Sequence, residues 1–321
     1  MSTVVPRNRR GLCSRILAAL APSSRAELLH GQGRVALCVG RARAARVVAP
    51  LAVFAVLLQP GCRLQPPALE RAALLTEHGK ESEAIAVLEE HLASHAEDVA
   101  ERQQLIRLYG SVGRLDQAQA QTERLAEILP PNSPVPWVEL GHAQELSHHF
   151  EEALAAYDHA ASVAPGDSLG PKTGGLRAAR WGELDLAEPR LTEAVRRDPS
   201  DPTTWHALGL VRLGLGQVEP ARQAYSEGLR ANPQSLENRL GLATVALRSD
   251  QPELALRQYE ALLAARPEFT DAMLGKSWSL ILLGRFDAAE AVLREAQALG
   301  ADPDSVARQR VNIRERKARA P

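Results

Sequence analysis

Cysteine is scarce: Cys13, Cys38 and Cys62 are the three in 321 residues, and none stands in a C-x-x-C pair. That excludes a disulfide framework, a four-cysteine zinc site and a thioredoxin-like redox centre. Aromatic residues make up 4% of the chain, a low share for a β-sandwich or barrel. Neither sign of charge dominates: 38 Lys and Arg face 39 Asp and Glu, which argues against a general nucleic-acid binder. No phosphate-cradling loop is present, because Gly170–Gly175, GPKTGG, lacks the P-loop spacing. His91 and His95 have the four-residue separation of a zincin helix, but Leu92 holds the place of the general-base Glu. His142, His148 and His149 read as solvent-facing, and no Ser/His/Asp set can be assembled. The chain therefore reads as having no catalytic residues, no cofactor site and no metal site.

What charge there is lies unevenly. Residues 1–61 carry nine Arg and one acid, Glu27, a net of +8. Residues 305–321 carry six basic side chains against Glu315, a net of +5. The stretch between them must then be strongly acidic, and it should repel nucleic acid. In the basic leader, Arg41, Arg43 and Arg46 precede Val47–Leu58, VVAPLAVFAVLL, an uncharged run too short to span a bilayer comfortably and of signal-peptide length.

The run is followed by Gln59-Pro60-Gly61-Cys62. A small residue before Cys, directly after an apolar segment, resembles the bacterial lipoprotein lipobox. It departs from that pattern at Gln59, where Leu is usual, and at Pro60. The resemblance implies removal of residues 1–61, lipidation at Cys62, and a cell-envelope location at the outer membrane or periplasmic face. Two other readings stay open: an organellar transit peptide, or an uncleaved inner-membrane anchor over residues 47–58.

From Gln65 to Pro303 the chain repeats itself every 34 residues, with Ser133 the one insertion. The units are 65–98, 99–132, 134–167, 168–201, 202–235, 236–269 and 270–303. Their twentieth place is always Ala: Ala84, Ala118, Ala153, Ala187, Ala221, Ala255 and Ala289. The fifteenth is Gly in five units, at Gly79, Gly113, Gly182, Gly216 and Gly284, and is His148 or Asp250 in the other two. A Gly there takes the left-handed conformation that ends a first helix. Pro at the thirty-second place, as in Pro165, Pro199 and Pro233, stops a second one. Between these marks lie two amphipathic stretches of about a dozen residues with apolar spacing near 3.6. The spacing predicts seven helical hairpins over 62–303. A final basic helix over 304–321, capped by Asp304 or Ser305, closes the array. Pro189 falls inside a second helix and is expected to kink it.

Trp137, Leu140, Gly141, Phe150, Ala153, Tyr157, Ala160 and Pro165 of the third unit carry the pattern most fully. It resembles the tetratricopeptide repeat family. The resemblance implies an all-α, right-handed superhelical solenoid whose activity is protein–protein interaction. Envelope assembly, secretion and pilus biogenesis are settings in which such proteins work. The partner, an extended peptide or helix, would lie in a concave groove lined by the first helix of each unit. By helical spacing the groove positions are the fifth, ninth and twelfth places. They include Arg107, His142, Lys172, His206, Leu210, Leu240, Leu274, Trp278 and Ile281. The C-terminal half of this set is apolar, with Trp278 as its expected anchor; the rival expectation is that the final helix folds back and buries Trp278. The recurrent Lys and Asn by which some family members clamp a terminal carboxylate are missing. A second reading makes the chain the accessory subunit of an enzyme, a transferase or protease, whose catalytic residues lie on another chain.

Overall fold

The computed structural model describes residues 67–319; the apolar run 47–58 and Cys62 lie outside them. Every element among the described residues is an α-helix, and the helices pair as the 34-residue phase requires. The hairpins are α1 (Ala68–Glu77) with α2 (Glu81–Ser94), α3 (Val99–Ser111) with α4 (Leu115–Ile128), and α5 (Val135–Leu146) with α6 (Phe150–Val163). They continue as α7 (Leu169–Trp181) with α8 (Leu184–Arg197), α9 (Pro202–Gly214) with α10 (Val218–Ala231), and α11 (Leu236–Arg248) with α12 (Pro252–Ala265). The last pair is α13 (Thr270–Leu282) with α14 (Phe286–Ala298), and α15 (Pro303–Arg319) follows alone.

Local chemistry sets these boundaries. At α9 the Asp201 carboxylate accepts from the Thr203 backbone N–H at 2.9 Å, and Pro202 occupies the first turn, where its missing N–H costs nothing. The hairpin turns need a left-handed residue, and all five repeat-turn glycines take positive φ. His148 at φ 63° and Asp250 at φ 57° occupy the same conformation without the freedom of Gly. α15 starts one residue earlier than the sequence suggests. Its cap is Asp302, which accepts from the Ser305 backbone N–H at 2.9 Å, rather than Asp304 or Ser305. α8 is continuous from Leu184 to Arg197, with Pro189 inside it.

Each helix packs on its partner and on the next hairpin, and among the described residues no helix contacts a hairpin beyond its neighbour. This nearest-neighbour pattern makes the array a solenoid. The seven twentieth-place alanines are all fully buried, where the two helices of a hairpin approach. Three of the scarce aromatics recur at the twenty-fourth place. Tyr157, Tyr225 and Tyr259 are essentially inaccessible to solvent there. Glycines make the room: a Cβ on Gly209 or Gly241 would sit 2.4 or 2.3 Å from the Tyr225 ring. Tyr225 is thereby wedged between α9 of its own hairpin and α11 of the next, which ties successive units together.

Candidate partner-binding groove

The first helices α3, α5, α7, α9, α11 and α13 lie side by side, each touching the next. This contact decides which of the three predicted places face outward. The ninth place stays accessible all along the array. Arg107 is exposed, and His142, Leu176, Leu210, Thr244 and Trp278 are partly so. The fifth place is mixed, with Lys172, His206 and Leu240 partly accessible but Val138 and Leu274 buried. The twelfth is largely an inter-helix contact. Gly110, Ala179, Leu213 and Ile281 are buried there, and a Cβ on Gly110 would meet the Ala143 backbone of α5 at 2.4 Å.

Two predicted groove residues therefore belong to the interior. Ile281 is completely buried and Leu274 is 8% exposed, both within the C-terminal core cluster that includes Val306 and Ile313 of α15. The cause is α15 itself, which packs on α13 and sends the Gln309 side-chain amide to the Leu274 carbonyl at 3.0 Å. Trp278 is half-way between the two expectations, partly buried and packed against that same cluster. The accessible apolar strip lies in mid-array, where Leu210 of α9 and Leu240 and Leu247 of α11 are each partly open to solvent.

Toward the N-terminal end the groove is polar, yet its cations are matched by acids that the sequence reading did not single out. The Arg107 guanidinium donates two hydrogen bonds to Glu139, both at 2.6 Å, and His142 stands 3.5 Å from the same carboxylate. Burial pushes the Glu139 carboxyl up, but hydrogen bonds from His142 and Arg107 outweigh it and hold the group below the ordinary carboxylate range. Lys172 donates to Asp201 at 2.7 Å, and Arg177 pairs with Glu145 at 3.0 Å. Burial also opposes ionisation of Asp201, and is again overcome, here by Lys172, Thr203 and Thr204, which leave its pKa well below the usual value. Glu139 stands at the sixth place of the unit after Arg107's, and Asp201 at the last place of Lys172's own unit, where it also caps α9. Pairs across unit boundaries, such as Arg107 with Glu139 and Arg177 with Glu145, leave no trace in a single unit's pattern.

At the centre, His206 is flanked by the Tyr225 ring at 5.9 Å between centroids. Burial pushes its imidazole down to about 4, with Glu237 opposing, so it is neutral at pH 7. The Tyr225 hydroxyl is buried with no hydrogen-bond partner. The corresponding Tyr259 hydroxyl lies 3.2 Å from the Thr244 hydroxyl.

His91 and His95 do not converge on a common point. Their rings stack face to face at 4.4 Å, and His91 Nε2 is 2.7 Å from Asp98. With Glu101 these two form a group whose ligand atoms lie within 4.8 Å of one another. It sits at the start of α3, where carboxylates are favoured by the helix dipole without any ion. No helix among the described residues is long and apolar enough to cross a membrane.

Comparison with known proteins places this geometry. Residues 173–235 and 240–306 match the family model described as tetratricopeptide repeat. No curated protein matches the chain in sequence. Among solved structures, the chain is similar to the C-terminal part of a TPR repeat-containing protein from Cytophaga hutchinsonii. That similarity has a TM-score of 0.54 at 17% identity and covers 74% of this chain and 98% of the other. It is also similar to a chain of the APC/C hetero-tetramer Cut9–Hcn1, with a TM-score of 0.50 at 15% identity, over 77% of this chain and 48% of that one.

Proposed function

We infer that this chain, built of tetratricopeptide repeats, is a non-catalytic scaffold that holds an apolar, extended or helical segment of another protein across the middle of its groove. The supporting observation is the change in character along the accessible ninth place and its neighbours. The N-terminal cations are each matched by an acid, while Leu210, Leu240 and Leu247 leave an accessible apolar strip beside a neutral His206. Apolar strips rimmed by satisfied polar groups favour partners that bring apolar side chains, because a charged partner would lose water without gaining a free counter-charge.

The test is capture of proteins by the wild-type chain and by a Leu210→Glu/Leu240→Glu variant. Both side chains are partly accessible but Leu240 also packs against the core, so capture is compared at a temperature where circular dichroism shows both proteins folded; there the variant should lose the specifically captured partner. Equal capture by both would refute this placement of the site.

Export and anchoring at Cys62 complete the proposal, resting on the basic leader, the apolar run 47–58 and Gly61-Cys62. The scaffold would then work at the cell envelope, held at the membrane surface by acyl chains. Metabolic palmitate labelling of wild type and Cys62→Ser decides it: label lost in the variant supports anchoring there, and equal labelling refutes it.

A further inference from the structure

The two ends of the described array differ in charge, and among the described residues the C-terminal one leaves a helix face open. α15 begins in the phase of an eighth unit's first helix, and it packs on α13 and α14 through Val306, Gln309 and Ile313, as a first helix does. Its opposite face would seat a second helix, and among the described residues none occupies it. Along the margin of this face with α14 runs a cleft of about 530 Å³, lined by Glu290 and Gln297 of α14 and by Ala307, Val311 and Arg314 of α15, and reaching the packed Val306. Val311 is 41% exposed at the eighth place, where Gly209, Ala243 and Ser277 are buried in complete hairpins. α15 carries six basic residues against Asp304 and Glu315. Arg310 and Lys317 are paired within the chain, to Glu290 and Asp287, while Arg314, Arg316 and Arg319 have no acid partner among the described residues.

The first hairpin is the counterpart. Over 68–94 it has six glutamates against Arg71 and Lys80. Of these, Glu83 is paired with Lys80 and Glu89 accepts from Tyr109, whereas Glu70, Glu77 and Glu90 are exposed and unpaired. Leu74 is 47% exposed on the same hairpin. A net of −4 at one end thus faces a net of +4 at the other, each beside an exposed aliphatic side chain.

We propose that a second copy of this chain docks its acidic α1–α2 end on the open face of α15, joining copies head to tail. The occupant is argued from charge. The leader, at +8, has the same sign as α15 and is repelled from that seat, whereas the first hairpin of another copy is complementary to it. Contact of unlike ends is heterologous, so it extends into rings or filaments rather than stopping at a two-fold dimer. The proposal is independent of what occupies the groove.

Sedimentation velocity of the full chain tests it. Wild type should associate in a concentration-dependent manner at about 50 mM salt and dissociate at about 500 mM, where exposed charges are screened. Reversing Arg314, Arg316 and Arg319 to Glu, or Glu70, Glu77 and Glu90 to Arg, should weaken association about tenfold or more while the helical circular dichroism is retained. Mixing the two variants should restore association, because each then offers the end the other lacks. A monomeric wild type at low salt, association indifferent to either reversal, or a mixture that stays monomeric would each overturn the proposal.

Discussion

Gly241→Ala separates tertiary packing from helix propensity, because the two predict opposite signs. Gly241 lies inside α11, and in a free helix Ala is better than Gly by about 1 kcal/mol. In the folded array, however, the new Cβ would sit 2.3 Å from Tyr225 Cε1 and 2.6 Å from Cζ. An ordinary contact is more than 1 Å longer, so the ring must move. It has no free direction, being fully buried, with Gly209 so near that a Cβ there would also stand 2.4 Å from the ring. Overpacking of this kind costs about 1–3 kcal/mol or more. A contact as short as 2.3 Å puts the cost at the upper end of that range, so after the propensity gain the net destabilisation is about 1–2 kcal/mol, read as a fall in the urea midpoint followed by circular dichroism. Removing the ring should relieve it: in a Tyr225→Leu background, Gly241→Ala should be neutral or stabilising, so that the double-mutant cycle shows a coupling of at least about 1 kcal/mol. A higher midpoint for Gly241→Ala alone, or strict additivity with Tyr225→Leu, would refute the wedge and the registration of α11 on α10.

Four further substitutions probe other parts of the account. Tyr225→Phe removes a buried hydroxyl that has no partner and should be neutral or stabilise by up to about 1 kcal/mol, whereas Tyr259→Phe breaks the contact with Thr244 and should cost about 1 kcal/mol in the same denaturation experiment. His148→Gly relieves a left-handed side chain and should raise stability by about 1 kcal/mol; an unchanged or lower midpoint would mean the turn is not strained. His206 moves from its ordinary 6.5 to about 4 on folding, so between these values the unfolded chain binds a proton that the folded chain refuses. Stability from this group is complete above pH 6.5 and falls as pH drops toward 4, by up to about 3 kcal/mol; a His206→Leu variant should lose that part of the slope.

The fold was legible because the repeat states it seven times over. Ala at the twentieth place marks the close approach of two helices, and Gly at the fifteenth marks a turn that only a left-handed residue completes. Even the exceptions were informative, since His148 and Asp250 adopt the glycine conformation at the expected positions. The groove was less legible. Counting by helical turns places the twelfth position beside the fifth and ninth, but the side-by-side packing of first helices covers it. Small residues at Gly110 and Ala179 were the available signal that a neighbouring backbone comes close. The burial of Leu274 and Ile281 follows from where α15 lies, which the repeat phase allowed but did not dictate. Ion pairs such as Arg107 with Glu139 connect residues 32 apart in sequence, a separation that becomes a contact only once the units are stacked.

The central claim, that the accessible groove strip is where a partner protein lies, is tested most directly by site-specific photo-crosslinking. A photoreactive residue at Leu210 in the groove is compared with one at Gln223, which is exposed on the second helix of the same hairpin. The account predicts a discrete crosslinked partner at Leu210 and none at Gln223. Crosslinking confined to Gln223, or equal at both sites, would contradict it.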